Sequence, residues 1–219
     1  MLCGFFEPTE GEAFVCGFDI KSEMSSIYPV MGVCPQHNLL WETMTAFEHV
    51  YFYARLKAAT GRVKSKPELE QEVEQALTAV SLWSVAHKAS GTFSGGMKRR
   101  LSVAISLIGS PGVVYMDEPS TGLDPASRKQ LWTAVHETKQ SNKCGFVLTT
   151  HSMQECEELC DTICIIKDGV IAKDSTPAAL IRCLAPLPDP AGLFSEGGEV
   201  IQLHVEGSLT ILKPGIKRV

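Results

Sequence analysis

The chain has 219 residues, 44% hydrophobic and 21% charged, with a formal net charge of −5. That is enough for one domain, or for a core with a subdomain, of ordinary soluble composition. The acidic balance argues against a nucleic-acid partner, and Lys98-Arg99-Arg100 is too short a basic cluster to overturn it. No apolar run reaches the roughly 18 residues of a membrane-spanning helix. The first residues, with Glu7 and Pro8 early and no basic stretch, do not read as a secretory leader.

In chain order, residues 11–20 (GEAFVCGFDI) read as a strand after a turn, and Ile27 to Gln36 carries a second short apolar strand leading into Pro35 and Gln36. From Thr45 the period changes to helical, with Phe47, Val50, Tyr51 and Ala54 on one face, and Glu68 to Val80 continues as a second amphipathic helix. A third helix starts at Gly95-Gly96, presenting Leu101, Ala104, Ile105 and Ile108 on one face. Val113 to Met116 is a short apolar run that stops at Asp117 and Glu118, as a buried parallel strand does. Pro125 opens a helix to about Gln140, followed by a strand over Phe146–Thr149, a helix over 152–160 and a strand over Ile163–Ile166. Alternating strands and helices predict a parallel sheet with helices on its faces, preceded by an all-helical insertion over roughly 40–110. Leu184 to Gly198 reads as a Pro- and Gly-rich linker, and Val200 to Leu212 as a small hairpin. Cys156, Cys160 and Cys164 recur every fourth residue, which is helical spacing rather than a zinc knuckle. Reduced, half-buried thiols are the reading taken.

Several residues carry chemistry. In Ser94-Gly95-Gly96-Met97-Lys98 two glycines let a backbone approach an anion, and the helix that follows points free N–H groups at it. A Gly-Gly helix start by itself is more often only a tight turn. Asp117 and Glu118 end a buried strand, where their desolvation needs compensation; Mg2+ held by Asp117 would supply it, with Glu118 aimed at an attacking water. The plainer alternative is an acidic cap. His151 follows the strand Phe146–Thr149 at the carboxyl edge of the sheet, where open α/β sheets bind ligands, and could bond a terminal phosphate. Gln36 likewise ends a strand, within reach of Mg2+ or water, and Asp124 lies in the turn Ser120-Thr121-Gly122-Leu123-Asp124.

The order of these features resembles the nucleotide-binding domain of ABC ATPases. The stretches CPQHNLLWETMTAFEHVYFYARLK (34–57), FSGGMKRRLSVAISLIG (93–109), VVYMDEPSTGLDPASRKQLW (113–132) and LTTHSMQECEELCD (148–161) are similar to subfamily A, the lipid-exporter branch, especially its plant-type members. The likeness covers roughly residues 1–175. It implies an α/β, ABC-type P-loop NTPase fold, a RecA-like parallel sheet core with a helical signature subdomain. The core would comprise 1–36 and 111–175, the signature subdomain 37–110, and a linker and poorly matched tail 176–219. By position, the resemblance implies Ser94, Gly95 and Gly96 as the signature that closes on ATP held by a partner domain. Asp117 becomes the Walker B metal residue and Glu118 the general base. Gln36 becomes the Q-loop residue at the metal, Asp124 the D-loop residue and His151 the switch histidine. Phe93 stands where the family often has Leu or Tyr. ATP and Mg2+ are the implied cofactors. A second nucleotide-binding domain in a head-to-tail dimer and the transmembrane domains of a transporter are the implied partners, at the cytosolic face of a membrane.

The phosphate-binding pattern GxxxxGK[ST] does not occur. Gly91 to Lys98 has its glycine spacing but places Met97 at the lysine position, inside the signature. In family members the residues matching Met1 to Gly4 follow the phosphate loop within the helix it opens. Two explanations are carried forward: a piece of a full transporter, or a short protein lending its signature face to another domain. In either case the expectation is poor ATP binding, no ATPase above background and marginal stability. A soluble ABC ATPase of translation or DNA maintenance is the third reading, disfavoured by the acidic balance.

Overall fold

The computed structural model describes residues 1–60, 63–142, 144–167 and 170–177. The expected linker and hairpin beyond residue 184 lie outside them. Residues 11–20 form not one strand but a minimal hairpin, β1 (Phe14–Val15) against β2 (Phe18–Asp19). The cause is local: Cys16 and Gly17 both take positive φ, 52° and 90°, the geometry of a tight two-residue hairpin turn. A short helix α1 (Met24–Ile27) and a 3-10 turn (Tyr28–Val30) then lead into β3 (Met31–Cys34).

Between β3 and the next sheet strand the chain is helical. Helix α2 (Ala46–Thr60) begins where Thr45 and Glu48 exchange hydrogen bonds, Thr45 N donating to Glu48 Oε2 at 2.8 Å and Glu48 N to Thr45 Oγ1 at 3.2 Å. Helix α3 (Lys66–Ala79) carries a capping box of Ser65 and Glu68 with Pro67 in the first turn. Helix α4 (Gly95–Leu107) is capped by Ser94, whose hydroxyl accepts from Met97 N at 3.3 Å. The periodicity predicts one buried face for α4. Instead Arg99, Arg100, Leu101, Ser102, Val103, Ala104 and Ser106 are all buried, because α4 is packed by β3, α2, α3 and α5 at once.

β4 (Val113–Asp117) follows, then α5 (Pro125–Asn142), β5 (Gly145–Thr149), α6 (Met153–Leu159), and the antiparallel pair β6 (Ile163–Lys167) and β7 (Val170–Ser175). Strands β3, β4 and β5 form a parallel sheet in that order, with Cys34 beside Met116, and Asp117 beside Thr149. Parallel neighbours require crossovers, here supplied by α2–α4 and by α5. Cys164 lies on β6 and Cys160 caps the end of α6, so the cysteine repeat does not continue along one helix. Cys156, Cys160 and Cys164 are buried and reduced.

The sheet separates two apolar clusters. Cys34, Val114, Met116, Phe146 and Leu148 face the main core with α2–α6, whereas Met31, Val33, Val113 and Tyr115 face a smaller one with Val15, Ile20 and Ile27. On the main face the backbone of α4 lies directly on β3. A Cβ at Gly32 would stand 2.0 Å from the Ser106 carbonyl oxygen, so only glycine admits this approach. Among the described residues no helix is long and apolar enough to cross a membrane.

Candidate functional site

Three parallel strands bring their carboxyl ends to one edge, and with them four of the sequence-singled residues. Gln36 lies two residues past β3, Asp117 and Glu118 end β4, and His151 follows β5 by two residues. Glu118 is the centre of the group. Its Oε1 lies 2.5 Å from His151 Nε2, while Oε2 accepts from Thr121 Oγ1 at 2.9 Å and from Gln36 Nε2 at 3.4 Å. The backbone is committed as well. Glu118 has φ +43°, in the left-handed region, and its N–H donates to both the carbonyl and the hydroxyl of Thr149, each at 3.1 Å. A non-glycine residue held there stores of order 1 kcal/mol, typical of functional turns. Thr149 Oγ1 in turn donates to Asp117 Oδ1 at 2.5 Å.

Burial differs from expectation. The strand is buried but its terminal carboxylate is not: Asp117 is exposed, so no desolvation penalty demands a cation there. Glu118 is the shielded one, its side chain 14% exposed, beside a His151 ring that is 65% exposed. The pair is an enclosed carboxylate reached from solvent past an imidazole.

Ser94, Gly95 and Gly96 lie at a second place, the start of α4. A Cβ at Gly96 would meet Ser127 Oγ at 2.7 Å and Asp124 Oδ1 at 3.7 Å, so the start of α4 packs against the start of α5. Asp124 caps that helix, its Oδ2 accepting from Ser127 N at 2.9 Å. This hydrogen bond holds the Asp124 carboxyl below the ordinary aspartate range. Gly95 is different: a Cβ there would touch nothing within 4 Å.

Residue-by-residue reading of the sequence missed Thr149, Thr121 and Arg99. Thr149 was legible once the apolar runs 113–116 and 146–148 were laid in register, because it then falls beside Asp117. Arg99 was hidden inside the triplet Lys98-Arg99-Arg100, weighed only as a short basic cluster. It is 3% exposed. Three successive residues sweep roughly 200° of a helix, so a helix packed on several sides cannot keep all three in water.

The ABC transporter family matches residues 1–121. Two Arabidopsis thaliana proteins, ABC transporter A family members 5 and 7, are 55% and 54% identical over 182 residues, which cover 82% of this chain. The chain spans 19% of the length of each. A solved ATP-binding subunit of an ABC transporter superposes with a TM-score of 0.69 at 25% identity, over 84% of this chain and 74% of that one. A dimeric post-hydrolysis state of an ATP-binding cassette, bound to ADP and Pi, shares the fold with a TM-score of 0.68 at 22% identity, over 80% and 76% of the two chains. The parallel sheet with its helices is therefore that of an ABC ATPase fold, and this chain belongs to the ABC transporter family, as an ATP-binding cassette of subfamily A.

Proposed function

We propose that this chain forms the ATP-hydrolysing part of a subfamily A transporter that moves lipids or similar amphiphiles. The observation that carries the reading is the convergence on Glu118: one shielded carboxylate, held by a left-handed backbone whose N–H donates to Thr149 and by two donors, the Thr121 hydroxyl and the Gln36 amide, with His151 Nε2 at 2.5 Å. In this reading Glu118 removes the proton of a water attacking the terminal phosphate. His151 stands on the solvent side of that carboxylate, where its ring contacts the phosphate and passes protons to bulk water. Gln36 reports the state of the site toward the helical segment that follows it.

The donor set suits Mg2+. Asp117 keeps one carboxylate oxygen beyond the Thr149 bond, and Gln36 keeps its amide oxygen. Among the described residues no three acidic, His or Cys side chains cluster as ligands, which agrees with an ion that takes one or two protein ligands and completes its shell with water and phosphate. Bound there, the ion would neutralise phosphate charge.

Residues 1–36 and 111–175 serve as core, 37–110 as the signature subdomain and 176–219 as linker and tail. Ser94 to Gly96 act on nucleotide held by a second cassette in a head-to-tail pair, with Asp124 at the contact. The open space over Gly95 supports that assignment. It equally supports a non-hydrolysing chain that donates its signature to a partner. Transmembrane domains of the transporter are the remaining partner, at the cytosolic face of the membrane.

The test compares ATP turnover by this 219-residue chain with that of a polypeptide in which a GxxxxGK[ST] segment precedes it. Background activity is expected from the first, and turnover that Glu118→Gln removes from the second. Turnover by the chain alone, abolished by the same substitution, would sink the claim that the phosphate loop is indispensable. Donation of the signature predicts stimulation of a cassette with an intact loop, lost on Ser94→Arg. The lipid assignment predicts that amphiphiles raise turnover in the reconstituted full transporter, and a flat response argues against it.

A further inference from the structure

We infer that Arg99 is a positioning residue that holds the Gln36 loop and the Glu118 turn to helix α4, so that the start of α4 is tied through one side chain to the strand-end cluster. The inference rests on the ATPase reading for its functional consequence and on geometry alone for the coupling.

Arg99 is 3% exposed, and its guanidinium donates to main-chain carbonyls. Nε donates to Pro119 O at 2.8 Å, Nη2 to Asp117 O at 2.7 Å, and Nη1 to Gln36 O at 3.1 Å and to Pro35 O. These carbonyls belong to the segments where β3 and β4 leave the sheet: Pro35 and Gln36 just past β3, Asp117 the last residue of β4, and Pro119 in the turn after it. Carbonyls leaving a sheet need other donors. A buried charge, for its part, needs nearly all its N–H groups bonded. One planar fork meets both requirements, and its rigidity makes it a spacer between the two loops.

The placement matters because of what lies at each end. Arg99 is in the second turn of the helix whose first residues are Gly95 and Gly96. The carbonyls it holds flank Gln36 and Glu118, whose side chains bond each other at 3.4 Å. A displacement of the start of α4 therefore reaches Gln36 and Glu118 through one side chain. Lysine presents a point charge with three donors and no fork, and spans fewer of the four carbonyls.

Hydrogen exchange on the full 219-residue chain tests the coupling, comparing wild type with Arg99→Met and Arg99→Lys. Amides of residues 36–40 and 118–123 should exchange about 10-fold faster in the Met variant. The Lys variant should fall in between, with amides of β4 and α3 near their wild-type rates in both. Unchanged exchange in the two segments overturns the inference, and so does uniform acceleration along the whole chain. Should the Met variant fail to fold, the Lys variant decides on the same criteria.

The functional arm uses the polypeptide with a phosphate loop attached. Arg99→Lys should lower kcat about 100-fold with KM for ATP nearly unchanged. A raised KM at unchanged kcat would count against a positioning role. If the unsubstituted polypeptide does not turn over ATP, the ATPase reading has failed, and the exchange arm alone judges the coupling.

Discussion

The strand-end cluster and the glycine turn that opens α4 are built in opposite ways. Around Glu118 the polar groups converge: His151, Gln36, Thr121 and Thr149 all reach the same residue, and the backbone is strained to present it. At the start of α4 the arrangement is turned outward. Ser94 only caps its own helix, and Gly95 faces open space although alanine would fit there and favour the helix. The difference teaches how to separate the two roles. A group preorganised by its own chain is set to act on what that chain holds, whereas a helix start that leaves room above a glycine is set to meet something from outside.

The largest expected effect would break this comparison if it failed. With a phosphate loop attached, Glu118→Gln should cut the single-turnover rate on the order of 100- to 10,000-fold, the usual range for removing a general base. A loss below about 10-fold would move the catalytic role away from the inward cluster. Next is Gly32→Ala, which strikes the joint that carries both regions. Its Cβ would stand 2.0 Å from the Ser106 carbonyl, and we expect a loss of about 3 kcal/mol or failure to fold, read by urea denaturation. Wild-type stability there would mean that α4 is free to lift from β3.

Gly95→Ala sharpens the outward half. With nothing within 4 Å of the new methyl, the isolated chain should gain about 0.5 kcal/mol. A loss of stability would show that the turn is packed from within. The smallest effect is pH-dependent. Asp124 has its carboxyl pKa lowered by the Ser127 N–H. The stability it contributes is therefore present above the ordinary aspartate value of about 3.9 and lost as pH falls through the lowered one. Asp124→Asn should reduce the thermal midpoint slightly at neutral pH and be indistinguishable from wild type in strong acid. A difference that persists unchanged in acid would mean that the carboxylate is not the cap.

How much of this was legible beforehand depends on whether the cause was local. Pro125 at the start of α5, the apolar period of α3 and the glycine pair that opens α4 act within a turn or two of chain, so those helices were found, while the equally local Ser65–Glu68 box and Ser94 cap went unread. The hairpin at Cys16-Gly17 is also local, but the pattern of apolar residues across 11–20 masked the turn. The burial of α4 was not legible, since four elements enclose a helix whose periodicity announces one face. The exposure of Asp117 was missed for a related reason: burial of a strand does not extend to a side chain that projects past its end.

By itself the sequence determined which residues end strands, which open helices and which family pattern they follow, because apolar periodicity, caps and glycine spacing act through neighbours along the chain. Only the tertiary structure decided that Glu118 would be enclosed while Asp117 stayed exposed. It also turned Arg99 inward to four carbonyls from two loops. Those outcomes depend on which strand ends and helix faces meet in space. A buried charge settles where unpaired carbonyls from distant segments converge, and no spacing along the chain encodes that meeting.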